Sequence, residues 1–248
     1  MDERVAIVTG AGTGIGAATA RLLDEKGLTV ALVARRADRL EGVAAGLERA
    51  FVLPSNLAER DEPARVVEAV LERTGRIDVL VNNAAAFELA LVPDVTVEQF
   101  DDNFAVNVRA PYFLVQAALP ALRASPAASI VNVSSAAAAM YRPRQTIYGL
   151  TKAALEHMTK NLAAELAPDR IRVNCVRPGP VATEIHQVVA NPEERLAQLG
   201  AMVPLGRVGR PEEIARWIWN LVDRDAEWVT GVVIPVDGGR VLGPPEAV

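Results

Sequence analysis

A single cysteine, Cys175, stands among the 248 residues of this chain, and only two histidines accompany it. One thiol cannot form a disulfide within the chain, and Cys175, His157 and His186 are not spaced as the ligands of a metal site. The sequence therefore predicts no disulfide framework and no metal centre. A chain without disulfides fits a reducing compartment, so we expect a cytoplasmic protein.

Long apolar runs and excess positive charge are equally scarce. No apolar stretch is long enough to cross a bilayer, and the first residues lead into a strand pattern without a signal peptide. The 26 basic and 31 acidic side chains leave a net charge of −5, which disfavours nucleic acid or an acidic membrane as the main partner. We therefore expect neither as a partner.

Strand and helix patterns alternate along the whole chain, without a linker, a repeat or a low-complexity tract. Short apolar, β-branched segments predict strands at residues 5–8, 29–33, 51–53, 77–81, 129–133, 171–176 and 232–236. Longer segments between them predict helices, among them residues 17–26, 37–49, 63–74, 97–124, 148–167 and 211–222. Strands that are apolar throughout are buried on both faces, which indicates a parallel sheet. We therefore predict an α/β fold: a single Rossmann-like domain over residues 1–248, with a doubly wound parallel sheet of about seven strands flanked by helices on both faces.

A glycine-rich turn directly follows the first predicted strand, with the sequence Thr9-Gly10-Ala11-Gly12-Thr13-Gly14-Ile15-Gly16. Glycines at a strand-to-helix turn allow tight backbone geometry and let a phosphate approach the helix N-terminus, where free N–H groups favour anions. On the first strand of an α/β pattern, this turn favours a dinucleotide-binding site.

Tyr148 and Lys152 are four residues apart, so in a helix they lie on one face. Ser135 precedes Tyr148 by thirteen residues and follows an apolar strand, with Ser134 beside it. Alternation at the strand end points the two serines in opposite directions, and the spacing favours Ser135 as the active one. In the other interpretation, Tyr148 is a half-buried aromatic residue and Lys152 its solvated neighbour.

These motifs, in this order, resemble the short-chain dehydrogenase/reductase (SDR) family. The resemblance runs from about residue 4 to Gly239, nearly the whole chain, and rests on the glycine turn, Asn82-Asn83-Ala84, Asn107, Ser135, Tyr148-x-x-x-Lys152, Asn174, Pro178-Gly179-x-x-x-Thr183 and Val236-Asp237-Gly238-Gly239. It implies an oxidoreductase that moves hydride between a nicotinamide cofactor and a ketone or secondary alcohol.

The chemistry assigns roles to four residues. A carbonyl that accepts hydride must receive a proton, and Tyr148 is the expected acid for reduction and base for oxidation, with Ser135 bonding the substrate oxygen. We expect Lys152 and the oxidised nicotinamide ring to lower the pKa of Tyr148 from about 10. By resemblance, Lys152 also binds the nicotinamide ribose, and Asn107 anchors a proton-relaying water. Alternatively, Asn107 bonds only backbone or solvent.

The resemblance also implies the cofactor contacts. They are Gly10, Thr13, Gly14, Ile15, Gly16, Arg35, Arg36, Asn56, Leu57, Asn83, Ala84, Tyr148, Lys152, Pro178, Gly179, Val181 and Thr183. Ala34 takes the acidic position that binds ribose hydroxyls in NAD sites, and Arg35 follows it, so we expect NADP(H). If Arg35 and Arg36 are only solvated, NAD(H) is accepted instead. Two residues depart from the family pattern, since Asn56 replaces an Asp and Ala85 a Gly.

Substrate contacts are predicted from two walls. Residues 180–210 are expected to form a mobile lid that contributes Ile185 and His186, and Phe87, Met140 and Tyr141 are expected opposite, near Ser135. This favours a ketone or secondary alcohol of moderate size and apolar or aromatic character. Arg142 and Arg144 either recognise an anionic group or are solvated loop residues.

Two other functions remain open from the sequence: a dehydratase or epimerase that retains its cofactor, and a nucleotide-binding module without turnover. The complete Ser135, Tyr148 and Lys152 set disfavours the module, because a binder needs no tuned phenol. Apolar residues on the predicted helices at 97–124 and 148–167 exceed what one sheet face requires, and relatives are usually tetramers. We therefore expect a homotetramer, with a dimer as the alternative.

Overall fold

The computed structural model describes residues 4–183 and 191–244. Its strands are β1 (Val5–Thr9), β2 (Thr29–Ala34), β3 (Ala50–Pro54), β4 (Val79–Asn82), β5 (Ser129–Val133), β6 (Arg172–Pro178) and β7 (Val233–Val236). They form one sheet in the order β3-β2-β1-β4-β5-β6-β7, and every neighbouring pair is parallel. This confirms the predicted doubly wound sheet, and each strand end lies within two residues of its predicted position.

The described residues form eight α-helices beside the sheet. They are α1 (Gly14–Glu25), α2 (Ala37–Ala44), α3 (Glu62–Thr74), α4 (Val97–Phe104), α5 (Ala110–Ala124), α6 (Thr146–Leu166), α7 (Pro192–Ala201) and α8 (Pro211–Val222). None of the described helices combines the length and apolar character needed to span a bilayer.

Three helical predictions need correction. The predicted helix at 97–124 contains a π-helical segment, Ala105–Arg109, between α4 and α5. Helix α2 ends at Ala44 rather than at residue 49, because the Asp24 carboxylate accepts the backbone N–H groups of Glu48 and Arg49 at 3.1 and 2.6 Å. The segment predicted only as a lid, residues 180–210, contains α7.

Two apolar cores lie on opposite faces of the sheet. In β1, Val5 and Ile7 belong to one core and Ala6 and Val8 to the other, as side-chain alternation along a strand requires. The first core packs against α3, α5 and α6, and the second against α1, α2 and α8. Both faces are therefore covered, which explains why the strands are apolar throughout.

The motif residues follow the carboxyl ends of the central strands. β1 lies between β2 and β4. After β1 the chain adds β2 and β3 on one side of it, and then β4 to β7 on the other side. Crossovers that diverge in this way leave a crevice at the carboxyl ends of the strands, where ligands of such sheets bind. The turn after β1 and the segments after β4, β5 and β6 therefore border one crevice.

Candidate active site

The glycine-rich turn brings the start of α1 against the end of β1. A methyl group on Gly16 would lie 2.1 Å from the carbonyl oxygen of Gly10, so a side chain at this position would prevent the packing. Thr13, which precedes α1, makes no capping hydrogen bond through its side chain. The N–H groups of the first helical turn are then left to bind an anion. This arrangement fits the pyrophosphate of a nicotinamide dinucleotide.

Two other segments adjoin this turn. Thr9 Oγ1 accepts hydrogen bonds from the backbone N–H groups of Asn83 and Ala84 at 2.9 and 3.0 Å, and Asn83 Nδ2 donates to Thr9 O at 2.8 Å. A methyl group on Gly14 would lie 3.0 Å from Cγ2 of Thr183. The structure thus brings the turn, the end of β4 and the segment after β6 together.

The remaining predicted cofactor positions extend this crevice in two directions. Pro178, Gly179 and Val181 lead from β6 towards Thr183, and Ile15 packs on the core beneath α1. Arg35 and Arg36 are exposed at the end of β2, close to the turn, since a methyl group on Gly12 would lie 3.9 Å from Cβ of Ala34. Asn56 is exposed after β3, and Leu57 is buried beside it.

Tyr148 and Ser135 face each other across the crevice. Ser135 is close enough to the phenol to affect its pKa. Gly149 permits this approach, because a methyl group there would lie 2.8 Å from the carbonyl oxygen of Ala137 in the turn after Ser135. The ring of Phe87 packs edge-to-face on Tyr148, with 4.9 Å between the ring centroids. Phe87 therefore closes one side of the space around the phenol.

Lys152 lies one helical turn below Tyr148 and is 2% exposed. Its Nζ donates to the carbonyl oxygen of Val133 at 2.8 Å and lies 5.7 Å from the centroid of the Tyr148 ring. The predicted juxtaposition of phenol and ammonium is therefore present, and the interpretation of Lys152 as a solvated neighbour is wrong.

Burial shifts the pKa values of these two groups in opposite directions. It raises the pKa of Tyr148 to about 12, against the smaller opposing effect of the Ser135 side chain. It lowers the pKa of Lys152 to about 8, against a smaller effect of Cys175. The predicted lowering of the Tyr148 pKa involves the oxidised nicotinamide ring as well as Lys152, so it stays a prediction. The protein groups around the phenol by themselves raise its pKa, because desolvation has the largest effect.

Asn107 lies in the π-helical segment, is fully buried, and holds two chain segments together. Its Oδ1 accepts from the backbone N–H of Ala86 at 2.8 Å, and its Nδ2 donates to Ala86 O and to Thr151 Oγ1, both at 2.9 Å. Thr151 in turn donates to the carbonyl oxygen of Tyr148 at 2.8 Å. A π-helical bulge is frequent at functional sites, and here it joins the chain after β4 to the start of α6.

Comparison with known proteins agrees with this geometry. A family model described as enoyl-(acyl carrier protein) reductase matches residues 10–240. The 3-oxoacyl-[acyl-carrier-protein] reductase FabG of Thermotoga maritima is 38% identical over 98% of this chain and 99% of its own length. The short-chain dehydrogenase/reductase FrzI of Cladobotryum sp. is 40% identical over 96% of each chain. The chain belongs to the short-chain dehydrogenase/reductase family.

A solved structure supports the same assignment. A double-mutant short-chain dehydrogenase/reductase of Serratia marcescens superposes with a TM-score of 0.88 and is 32% identical, over 96% of this chain and 98% of that protein. The protein is accordingly an oxidoreductase of the SDR class.

Ser134 of this SDR enzyme points away from the candidate catalytic residues, as strand alternation predicted. Its hydroxyl donates to Glu156 Oε1 at 2.7 Å, and Arg177 forms a two-pronged ion pair with the same carboxylate at 2.7 and 2.6 Å. The sequence analysis did not predict this buried network, which ties α6 to β5 and β6. The feature that could have indicated it is the position of Glu156, four residues after Lys152 on the same helical face.

The predicted substrate positions of the SDR enzyme are only partly described. Phe87 contacts Tyr148, Met140 is half-buried in the loop between Ser135 and Tyr148, and Tyr141 in the same loop is 85% exposed. Ile185 and His186 lie outside the described residues. Cys175 is buried in β6, where burial raises its pKa to about 12. This thiol is therefore an inert core residue.

Proposed function

We propose that this SDR enzyme transfers hydride between NADP(H) and a ketone or secondary alcohol, with Tyr148 as the general acid and base. The nearness of the Ser135 and Tyr148 hydroxyls carries this proposal, because two neighbouring donors can bond the same substrate oxygen. The buried Lys152 ammonium lies 5.7 Å from the Tyr148 ring, and the glycine turn borders the same crevice.

A bound nicotinamide supplies hydride for reduction or accepts it for oxidation. In reduction, Ser135 and Tyr148 donate hydrogen bonds to the carbonyl oxygen, and Tyr148 passes its proton as negative charge develops there. The raised pKa of Tyr148 keeps the phenol protonated at neutral pH, ready to act as an acid. In oxidation the phenolate must form first, and the positive charge of Lys152 lowers that cost.

Lys152 and Asn107 extend the proton path in this proposal. With a pKa of about 8, Lys152 can return a proton to the Tyr148 phenolate. Both polar atoms of the Asn107 amide already bond protein groups, as the backbone-bonding interpretation stated. A carbonyl oxygen carries two lone pairs, however, and Oδ1 uses one for Ala86. We assign the second to a water that connects Lys152 with solvent.

Substitution of one phenol tests this mechanism. Tyr148→Phe keeps the ring against Phe87 and removes the acid, so kcat should fall by about 100-fold or more while cofactor affinity, measured by fluorescence titration, changes little. Tyr112→Phe is the matched control, because it removes the same hydroxyl from a partly exposed tyrosine at the start of α5, and full activity is expected. Undiminished turnover of Tyr148→Phe would refute the mechanism.

Arg35 supports the choice of NADP(H). Its side chain is exposed after β2, no carboxylate precedes it, and among the described residues it forms no ion pair. A guanidinium can bind the 2′-phosphate through two hydrogen bonds.

Cofactor kinetics test the role of Arg35. Arg35→Ser should lower kcat/KM for NADPH by about 10- to 100-fold and that for NADH far less. Arg21→Ser, an equal charge change on the exposed side of α1, should leave the NADPH/NADH ratio as in wild type. A wild-type enzyme that uses NADH more efficiently than NADPH would contradict the assignment.

We further propose that residues 1–248 act as one catalytic domain and that segment 180–210 covers the substrate. Two observations support the cover: Thr183 adjoins the glycine turn, and α7 belongs to the same segment.

A further inference from the structure

Three arginines from separate parts of the chain converge beyond the Ser135–Tyr148 pair. Arg142 lies in the loop between those two residues, Arg195 in α7, and Arg240 directly after β7. Arg240 is only 9% exposed, Arg142 is half-buried, and Arg195 is exposed. This arginine cluster (Arg142, Arg195 and Arg240) thus runs from the interior to the surface.

Helix geometry places Arg195 on the side of α7 that faces Arg240. Arg195, Leu199 and Met202 are spaced by four and three residues, so they share one helical face. Leu199 is 1% exposed, and Met202 Sδ accepts a hydrogen bond from Arg240 Nη2 at 4.0 Å. The face that carries Arg195 is therefore turned towards Arg240.

The electrostatic environment of Arg142 agrees with this placement of the three side chains. The pKa of Arg142 is lowered, first by burial and then by the positive charges of Arg240 and Arg195. Such mutual repulsion is normally offset by a nearby carboxylate. Within the described residues, none of the three arginines forms an ion pair.

Nearby acidic side chains are engaged elsewhere. The Asp237 carboxylate accepts backbone N–H groups of Gly239 and Val241 at 2.9 and 3.0 Å, and Glu194 bonds Asn191 and Gln198 beside α7's start. The buried Nε of Arg240 has no hydrogen-bond partner. A buried guanidinium with an unsatisfied donor costs free energy that a bound anion would recover.

We propose that the arginine cluster binds an anionic group, a carboxylate or a phosphate, carried by the substrate at a distance from its reacting carbonyl. This inference rests on the proposed function and adds the substrate class, an anionic ketone or the corresponding hydroxy acid or phosphate. The buried Arg240 sets the position of the anion, and Arg142 and Arg195 complete its hydrogen bonds.

The place of the cluster in the sheet separates it from the cofactor phosphates. Arg35, proposed for the 2′-phosphate, follows β2, whereas Arg142 follows β5 and Arg240 follows β7. At about 4.8 Å between neighbouring strands, β2 lies roughly 14 Å from β5 and roughly 24 Å from β7. The cluster is therefore separate from the proposed 2′-phosphate site, and we assign its anion to the substrate.

Matched substrate pairs test the proposal. Keto acids and their methyl esters, which share a carbon skeleton, are compared by kcat/KM in wild type, Arg142→Gln, Arg240→Gln and Arg144→Gln. Wild type should prefer the acid by about tenfold or more, and the Arg142 and Arg240 variants should reduce that preference by about 10- to 100-fold. Arg144→Gln, in the same loop but bonded to Leu89 O, should retain it.

Because Arg240→Gln affects a buried residue, the half-buried Arg142 provides the second variant if the first does not fold. A wild-type acid-to-ester ratio near one, or a ratio unchanged in both variants, overturns the proposal. A change of oligomeric state by light scattering with an unchanged ratio also overturns it, because the arginines would then pair with a second copy.

A binding measurement separates this inference from the proposed function. Inorganic phosphate is titrated without cofactor, and the rise of Tm is compared between wild type and Arg142→Gln/Arg240→Gln. A smaller rise in the double variant supports the anion site even if no ketone is reduced, a result that overturns only the proposed function. Equal rises overturn the anion site even if neutral ketones are reduced.

Discussion

At the scale of single residues, the pair of Tyr148 and Lys152 sets a direction for proton transfer in the proposed mechanism. Removal from water disfavours both the phenolate and the ammonium, so the pKa of Tyr148 rises to about 12 and that of Lys152 falls to about 8. A phenolate left after proton donation is then the stronger base of the two. Transfer from Lys152 to Tyr148 is downhill, which suits a cycle that repeatedly reprotonates the phenol.

The pKa of Lys152 predicts how stability changes with pH. Its folded value, about 8, lies below its ordinary value of 10.5, so the unfolded chain binds more protons between these two values. Stability then rises with pH through this window, and the cost of the buried charge is fully present below pH 8. We expect the free energy of unfolding of wild type, relative to Lys152→Met, to rise by about 2–3 kcal/mol between pH 7 and pH 10.5.

Urea denaturation at a series of pH values measures this difference. Lys160→Met, on the exposed side of the same helix, is the control. Its free energy of unfolding should differ from that of wild type by the same amount at every pH. A flat profile for Lys152→Met as well would mean that Lys152 keeps an ordinary pKa.

The residue scale also shows what local sequence can predict. The spacing of Tyr148 and Lys152 predicted a shared helical face, and strand alternation predicted the separation of Ser134 from Ser135. The rise that burial causes in the pKa of Tyr148 was not predicted, because the segments that surround the phenol, including Phe87, are distant in sequence. The arginine cluster likewise joins residues from three separate loops and helices, a proximity that no local pattern contains.

At the scale of elements, α6 depends on one glycine for its approach to the chain after β5. Gly149 lies at its first turn, where a methyl group would come within 2.8 Å of Ala137 O. Gly149→Ala should force the helix and the turn apart. We expect a loss of about 1–3 kcal/mol in unfolding free energy and a lower kcat, since Tyr148 then moves away from Ser135.

Gly42→Ala is the matched control for that substitution. Gly42 lies inside α2, and an added methyl group meets nothing within 4 Å. Alanine favours a helix interior over glycine, so this variant should be more stable by about 0.5–1 kcal/mol with unchanged kcat. Thermal unfolding and steady-state kinetics check both variants, and equal behaviour of the two would contradict the packing argument.

Elements were predictable where their patterns are local. Every strand is a short β-branched run, and most helices carry a regular apolar period. The π-helical segment Ala105–Arg109 was missed, because it depends on Asn107 bonding Ala86 and Thr151 across the molecule. Helix α2 ends early because of Asp24, a residue on another helix. Such tertiary contacts override local propensity.

At the scale of the whole molecule, apolar side chains on one layer of helices extend outside the core. Tyr112 and Phe113 at the start of α5 are 46% and 41% exposed, Phe100 on α4 is 41% exposed, and Leu150 on α6 is 52% exposed. These helices share one face of the sheet with the core that contains Leu114 and Leu162. Clustered apolar exposure on one face is typical of a surface that contacts another protein.

We therefore predict that this layer associates with a second copy and that the protein is a homotetramer in solution, with a dimer as the smaller possible state. Light scattering of wild type measures the oligomeric state directly, and a monomer at micromolar concentration would contradict the prediction.

Tyr112→Ser/Phe113→Ser should shift the protein towards a smaller species, because the double variant removes two large apolar side chains from a surface that a twofold axis repeats. Trp228→Ser is the control, since Trp228 is 98% exposed but follows α8, which lies on the other side of the sheet. The molar mass of this variant in solution should equal that of wild type.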